Sequence, residues 1–274
     1  MNARRFVLYA VLIVIAGIML LPFYWMLVLA TQSTTNIFKF PPPFWFGGNL
    51  FSNFNAMSDS VPFLRAFINS AFLAIASTAA VVFFCSLGGY AFAVYRFPGQ
   101  KTLFAILLGT MMIPFTAGII PWFFMMSKFG WVNNYLGLIV PGAANAFGIF
   151  WMRQYCQNNV PISLLEAAKM DGLSEWLMFF RIAAPILMPG MSALGIMSFV
   201  GNWNNFLTPL LLLRDPALRT LPLLLRYMAG DPVRGTDMGA LMLANALAVL
   251  PLLIAFLAAS RYFIASLTAG AVKE

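Results

Sequence analysis

The sequence contains no histidine. The commonest general base near neutral pH and the commonest metal ligand are therefore both missing. There are two cysteines, Cys85 and Cys156. Both fall inside or just below apolar runs, which suits neither a metal cluster nor a disulfide. Charge is scarce as well: 9% of 274 residues, against roughly 25% in a soluble domain. The eight carboxylates are scattered, apart from Glu166, Asp171 and Glu175 in one short stretch. No G-x-x-x-x-G-K-[ST] loop is present to cradle a nucleotide phosphate. Metal, thiol and triad chemistry have no residues to work with, whereas an intramembrane enzyme using Ser or Asp is not excluded.

Apolar sequence is abundant. The chain is 62% hydrophobic, with a mean hydropathy of +0.86. That leaves too little polar surface to cover a water-soluble globule, and the fold class expected is an all-α polytopic membrane protein. The net charge of +8 comes with no basic patch interleaved with aromatics, so nucleic acid is not an expected partner. The charges read as flanks of membrane helices.

A spanning helix needs about 20 apolar residues. Six segments qualify: 8–30, 66–95, 102–127, 134–156, 186–213 and 239–263. The first follows Arg4 and Arg5 as a signal peptide would, but it is too long and no A-x-A site follows, so it reads as a retained helix. Pro114 and Pro121 predict a kink in the third span. Pro141, Gly142 and Gly148 predict a thin, closely packing fourth. With no repeat or low-complexity tract, residues 1–274 read as one membrane domain ending in a tail at 264–274.

With both termini cytoplasmic, the inner segments hold nine basic residues and the outer segments seven. The short-loop charge rule favours this orientation. The four arginines of the outer loop 214–238 run against it. That loop and the outer segment 31–64 (Pro41-Pro42-Pro43-Phe44-Trp45-Phe46) read either as packed connectors or as a platform for an external partner.

The loop 157–185 is the one sizeable polar island. Asn158 and Asn159 are cap candidates ahead of Pro161, which suits a first helical turn. Leu164, Leu165, Ala168 and Met170 give a short apolar face. Gly172 is expected to stop this helix. Ser174 is expected to cap a second one, 175–183, with Glu175 in its first turn, and Pro185 to break the chain before the fifth span. Such a pair of helices could lie on lipid. It could equally dock a protein, since Ala167, Ala168 and Gly172 permit close approach while Glu166 and Asp171 offer charge-assisted contacts.

Glu166-Ala167-Ala168, Gly172 six positions after Glu166, and Ile182 with Pro185 resemble the E-A-A…G…I-x-L-P signature of permease subunits of binding-protein-dependent ABC importers. Ala184 stands where the signature usually has Leu. Phe199-Val-Gly-Asn202-Trp203-Asn204-Asn205-Phe206 is similar to the W-N-x-F region of carbohydrate permeases. The tail Leu267-Thr268-Ala269-Gly270-Ala271-Val272-Lys273 resembles the L-T-x-G-A-V-K ending of the maltose-type sugar permease. The resemblance implies the transmembrane fold of a type I importer. This chain would pair with a second, related permease around one pathway. Two cytoplasmic ATPase subunits, carrying ATP and Mg, would sit below, and an extracytoplasmic binding protein would deliver a sugar. By the same resemblance Glu166, Ala167, Ala168, Asp171 and Gly172 are docking residues of a coupling helix seated on an ATPase. No cofactor is expected on this chain, which is a transporter subunit and not an enzyme.

Asn202, Trp203, Asn204 and Asn205 interrupt an otherwise apolar span. Polar groups at that depth usually face the bundle interior or a cavity. Asn202 and Asn205 share a helical face at spacing i, i+3. Their amides match sugar hydroxyls, and an indole face stacks on C–H groups. The alternative is hydrogen bonding between helices, the reading preferred for the lone Asn145 and Asn245. Met111, Met112, Met125 and Met126 suit ordinary packing better than a gate. Three rival readings stay open: the same machine carrying glycerol phosphate or an acidic oligosaccharide, a freestanding channel or intramembrane enzyme, and a structural subunit whose loop rests on lipid.

Overall fold

The computed structural model describes residues 3–230 and 236–269, apart from the side chains of 3, 4, 6 and 258–269. The part of the maltose-type ending from Gly270 onward, and residues 231–235 of the Arg-rich loop, lie outside what it describes. Every regular element among the described residues is helical. In chain order these are α1 (Ala3–Leu29), α2 (Thr34–Ile37), α3 (Leu50–Ser60), α4 (Phe63–Val94), α5 (Gln100–Thr110), α6 (Ile119–Lys128), α7 (Leu136–Ile139), α8 (Ala146–Asn159), α9 (Ile162–Met170), α10 (Glu175–Met178), α11 (Ala184–Trp203), α12 (Leu207–Leu212), α13 (Leu221–Met228) and α14 (Met238–Ala269).

Four of the expected spans are long continuous helices: Val7–Leu29, Phe63–Val94, Glu175–Trp203 and Met238–Leu257. The third is a broken pair, bent by 89° between α5 and a helical stretch Phe115–Lys128. Pro114 sits in extended backbone at the break. Pro121 lies in the first turn of α6 and kinks nothing, because the N–H it lacks has no intrahelical partner there. The fourth expected span, 134–156, is not one helix. A run of turns at 140–144 separates α7 from α8. Pro141-Gly142 ends the helix instead of thinning it.

The fifth expected span also differs. A single rod runs from Glu175 to Trp203, with α10 and α11 joined by a π-helical turn, Phe179–Ala183. Pro185 breaks nothing: it follows the π turn directly, at the second residue of α11, and such a local adjustment lets a membrane helix carry a proline. At the far end the rod stops at Trp203, and a separate helix α12 follows.

The chain forms two compact units, one from the chain up to Phe67 and Leu221–Leu252, the other from Ile68–Thr220 and the chain after Leu253. In the first, the end of α1 is held by Asn53 of α3, whose Nδ2 donates to the carbonyls of Ala30 (2.8 Å) and Gln32 (2.9 Å). Thr34 Oγ1 donates to Asp237 at the start of α14. Met57 packs on Ala240 and Ala244. Segment 31–64 is thus folded against the end of α1 and the start of α14.

The second unit carries the candidate sites. Its core joins α4, α8, α9, the π turn and α11 through Cys85, Tyr90, Met152, Cys156, Leu165, Phe179, Ala183 and Leu187. Lipid chains offer apolar side chains as good a home as another helix does, so small residues that let backbones meet decide this packing. A Cβ on Gly89 would lie 2.6 Å from the Arg153 backbone N, and one on Gly190 would lie 2.6 Å from the Tyr155 ring. Trp151 Nε1 donates to the Gly190 carbonyl across the α8–α11 contact. The last carbonyls of α4 are capped by distant side chains: Gln100 Nε2 donates to Phe92 and Tyr95, and Arg153 Nε to Phe92.

Gly89→Val should lower the melting temperature of the detergent-solubilised chain by several degrees, since overpacking costs about 1–3 kcal/mol. Gly109→Ala, where a Cβ meets nothing within 4 Å, should leave melting unchanged or raise it. Thermal unfolding of both variants checks the contact, and wild-type melting of Gly89→Val would contradict it.

Candidate functional site: an exposed helix and a neutral polar pocket

Helix α9 begins at Pro161, in extended backbone. The expected caps do not form: Asn159 ends α8 and donates back to the Tyr155 carbonyl. The C-terminus behaves as the sequence suggests. Gly172 has φ +81°, a conformation natural only to glycine. Leu173 N–H donates to the Ala168 carbonyl and Gly172 N–H to Lys169, which is the paired closure of a Schellman motif.

Leu165 and Ala168, three apart on one face, are buried. Glu166, Ala167, Met170, Asp171 and Gly172 are exposed. Ala168 therefore does not belong with the outward-facing residues, because its methyl group points to the core on the same stripe as Leu165. Leu164 and Met170, expected on the apolar face, are outside as well. Exposed Trp176 and Leu177 extend the apolar surface just beyond the turn.

A polar latch that the sequence did not suggest joins this loop to the end of α4. Tyr95 donates its hydroxyl to Glu175, whose other carboxylate oxygen pairs with Lys169 of α9 at 3.3 Å. Burial, followed by the adjacent carboxylate, raises the Tyr95 phenol above its ordinary value, so the phenol stays protonated and remains the donor. Both ends of the Lys169–Glu175 pair are well exposed, and water screens it.

The fifth-span residues divide into two groups. Trp203 is buried and stacks on Phe199. Asn204 is exposed and bonds back to the Val200 carbonyl. Neither lines a cavity with the other two. Asn202 and Asn205 do: they share the wall of a cavity of about 490 Å³ with Ser77, Asn145, Ser198 and Gly201. Asn202 Nδ2 is anchored on the Ser198 carbonyl and hydroxyl. Asn205 bonds Thr208 at the start of α12. Asn145 caps α8 by accepting from Gly148 N–H at 2.8 Å, a structural role within its own helix and not a bond between helices, and it lines the cavity too. No group of three or more metal-binding side chains occurs among the described residues.

The family described as "binding-protein-dependent transport system inner membrane component" matches residues 86–268. The chain belongs to that family. It is a transporter component of the inner membrane, not an enzyme. The match takes in the polar island and the fifth-span asparagines. Among its relatives is the lactose transport system permease protein LacG of Rhizobium radiobacter, 34% identical, with 97% of this chain and 95% of that protein covered. Another is the arabinooligosaccharides transport system permease protein AraQ of Bacillus subtilis, 36% identical over 77% of this chain and 74% of that protein. A crystal structure of a bacterial ABC transporter involved in import of the acidic polysaccharide alginate superimposes with a TM-score of 0.84 at 22% identity. It covers 96% of this permease and 98% of that chain, and it shows that the fold is shared.

Tyr95→Phe and Glu175→Gln should each lower the permease's melting temperature by about 2 °C, and the double variant by no more than either alone. Additive losses would mean that the two side chains are not partners.

Proposed function

We propose that this permease forms half of the translocation pathway of an ATP-driven importer for a carbohydrate, and that α9 is its coupling helix. Several features support the reading: the family, relatives named for lactose and arabinooligosaccharide transport, and a short exposed helix with E-A-A…G at 166–172. That helix is the observation that carries the proposal. It is firmly seated by Leu165 and Ala168, sharply ended at Gly172, and turns both small and acidic residues outward.

The partners proposed are a second homologous permease, two ATPase subunits and an extracytoplasmic binding protein. Both termini and the loop 157–185 lie on the cytoplasmic side. ATP and Mg belong to the ATPase chains. Closure of the ATPases pushes α9, and the Tyr95–Glu175–Lys169 latch passes that push to the ends of α4 and the Glu175–Trp203 rod. In this reading Glu166, Ala167, Asp171 and Gly172 face the ATPase, while Ala168 holds the helix in place from behind.

Gly172→Val places a β-branched residue in left-handed backbone, at a cost of about 1–2 kcal/mol. In the assembled complex it should reduce binding-protein-dependent uptake by about tenfold or more while the chain still inserts and pairs. Uptake and ATPase stimulation in proteoliposomes measure this. Wild-type uptake would count decisively against docking through α9.

A further inference from the structure

A second cavity, of about 350 Å³, opens where the end of α4, the start of α5, the end of α8 and the start of α9 meet. Its polar lining is Arg96, Gln100, Arg153 and Gln157, beside the rings of Phe92 and Tyr95. Among the described residues neither arginine pairs with a carboxylate. Glu175 reaches the rim through Tyr95, but its charge is already shared with Lys169. Two like charges in one recess repel each other, and an anion between them turns that repulsion into attraction.

Arg153 is held in place. Its Nε donates to the Phe92 carbonyl at 3.2 Å, and its guanidinium lies 4.1 Å from the centre of the Phe104 ring. Nη1 makes only a long bond to Gln154, at 3.5 Å, so most of the fork's five N–H groups are unspent. Arg96 and Gln157 are exposed and bond to nothing else among the described residues. A planar guanidinium with free N–H groups matches the oxygens of a phosphate. The recess lies where the α4 span ends and the first arm of the broken span begins, the depth of lipid headgroups. From there α5 leads away with Phe104 and Leu107 packed inward. Leu103 and Ile106 are 51% and 60% exposed, an apolar face along which an acyl chain can lie. A soluble anion would meet the arginines but gain nothing from that face. Basic recesses between membrane helices on the cytoplasmic side suit anionic headgroups.

We propose that this cavity binds the headgroup of an anionic phospholipid, with Arg96 and Arg153 pairing with its phosphate and Gln157 bonding its remaining oxygens. Val160 and Ile162 of the same wall flank Pro161, where α9 begins. A bound headgroup therefore ties the ends of α4 and α8 to the root of the loop helix. The site rests on the cytoplasmic placement of the loop in the reading above, and it adds the inner leaflet to the permease's partners. A bilayer poor in anionic lipid leaves two cations unbalanced beside α9.

Arg96 and Gln157 make a direct test possible, because both are exposed and their replacement disturbs no packing. The complete complex, delipidated in detergent, is titrated with phosphatidylglycerol, phosphatidylcholine or inorganic phosphate, and bound lipid is counted by native mass spectrometry. Phosphatidylglycerol should bind about tenfold more tightly than phosphatidylcholine. Arg96→Gln and Gln157→Glu should each weaken phosphatidylglycerol binding by about five- to tenfold and leave phosphatidylcholine binding as it is. Melting of the delipidated complex should stay at the wild-type temperature in both variants. Equal binding of the two lipids, or undiminished phosphatidylglycerol binding in both variants, would overturn the site. Displacement of the lipid by millimolar inorganic phosphate would assign the recess to a soluble anion and overturn the lipid assignment. So would loss of ATPase co-purification in Arg96→Gln with lipid binding intact, which would make a partner's carboxylate the occupant. Selective phosphatidylglycerol binding in a complex that carries no saccharide would uphold the site while the transport reading fails.

Discussion

The close approach of α4, α8 and α11 is the constraint on which the rest of this permease depends. In lipid, apolar side chains gain little by leaving the bilayer for another helix, so the helices hold together where their backbones meet. Gly89 and Gly190 are the places where that happens, and the core they enclose also contains Leu165 of α9 and Phe179 of the π turn. The exposed loop helix is thus an outlying part of the core. Its seat is set by glycines two helices away.

Polar chemistry is divided by kind. Carboxylates and lysine occur together at the surface of the loop, where water tempers them. The cavity has hydroxyls and amides only. Each arrangement suits its surroundings. Charges on α9 are cheap to expose and can be covered when another surface arrives. Neutral groups in the span need no counter-ion and can remain solvent-facing, self-bonded or ligand-bonded at modest cost.

Much of this was legible in the sequence, for identifiable reasons. Long apolar runs located the first, second and last spans to within a few residues at their starts, because length and hydropathy govern membrane insertion directly, while the fifth was placed about ten residues too far along. Gly172 was legible as a helix stop because left-handed backbone all but requires glycine. Other features were hidden. Pro185 signals a break when read alone, but the π turn just before it lets the helix continue, and that turn has no signal in the sequence. The 134–156 run is apolar enough to span, yet Pro141-Gly142 turns it aside. Ala168 belongs to a recognised signature, and a signature does not say which of its residues face inward. Tyr95 and Glu175 are 80 positions apart, with nothing local to connect them.

The Glu175–Trp203 rod has a mechanical consequence. Its 29 residues give it a length of ~40 Å, with the Tyr95–Glu175 latch at one end and Asn202 at the other. A stiff rod of that length is a lever. Tilting it by about ten degrees at the latch swings the far end by ~7 Å. The π turn adds one residue to its circuit near the short arm, which offsets the outward face there from the cavity-lining face of the long arm. A single helix therefore presents different faces at its two ends.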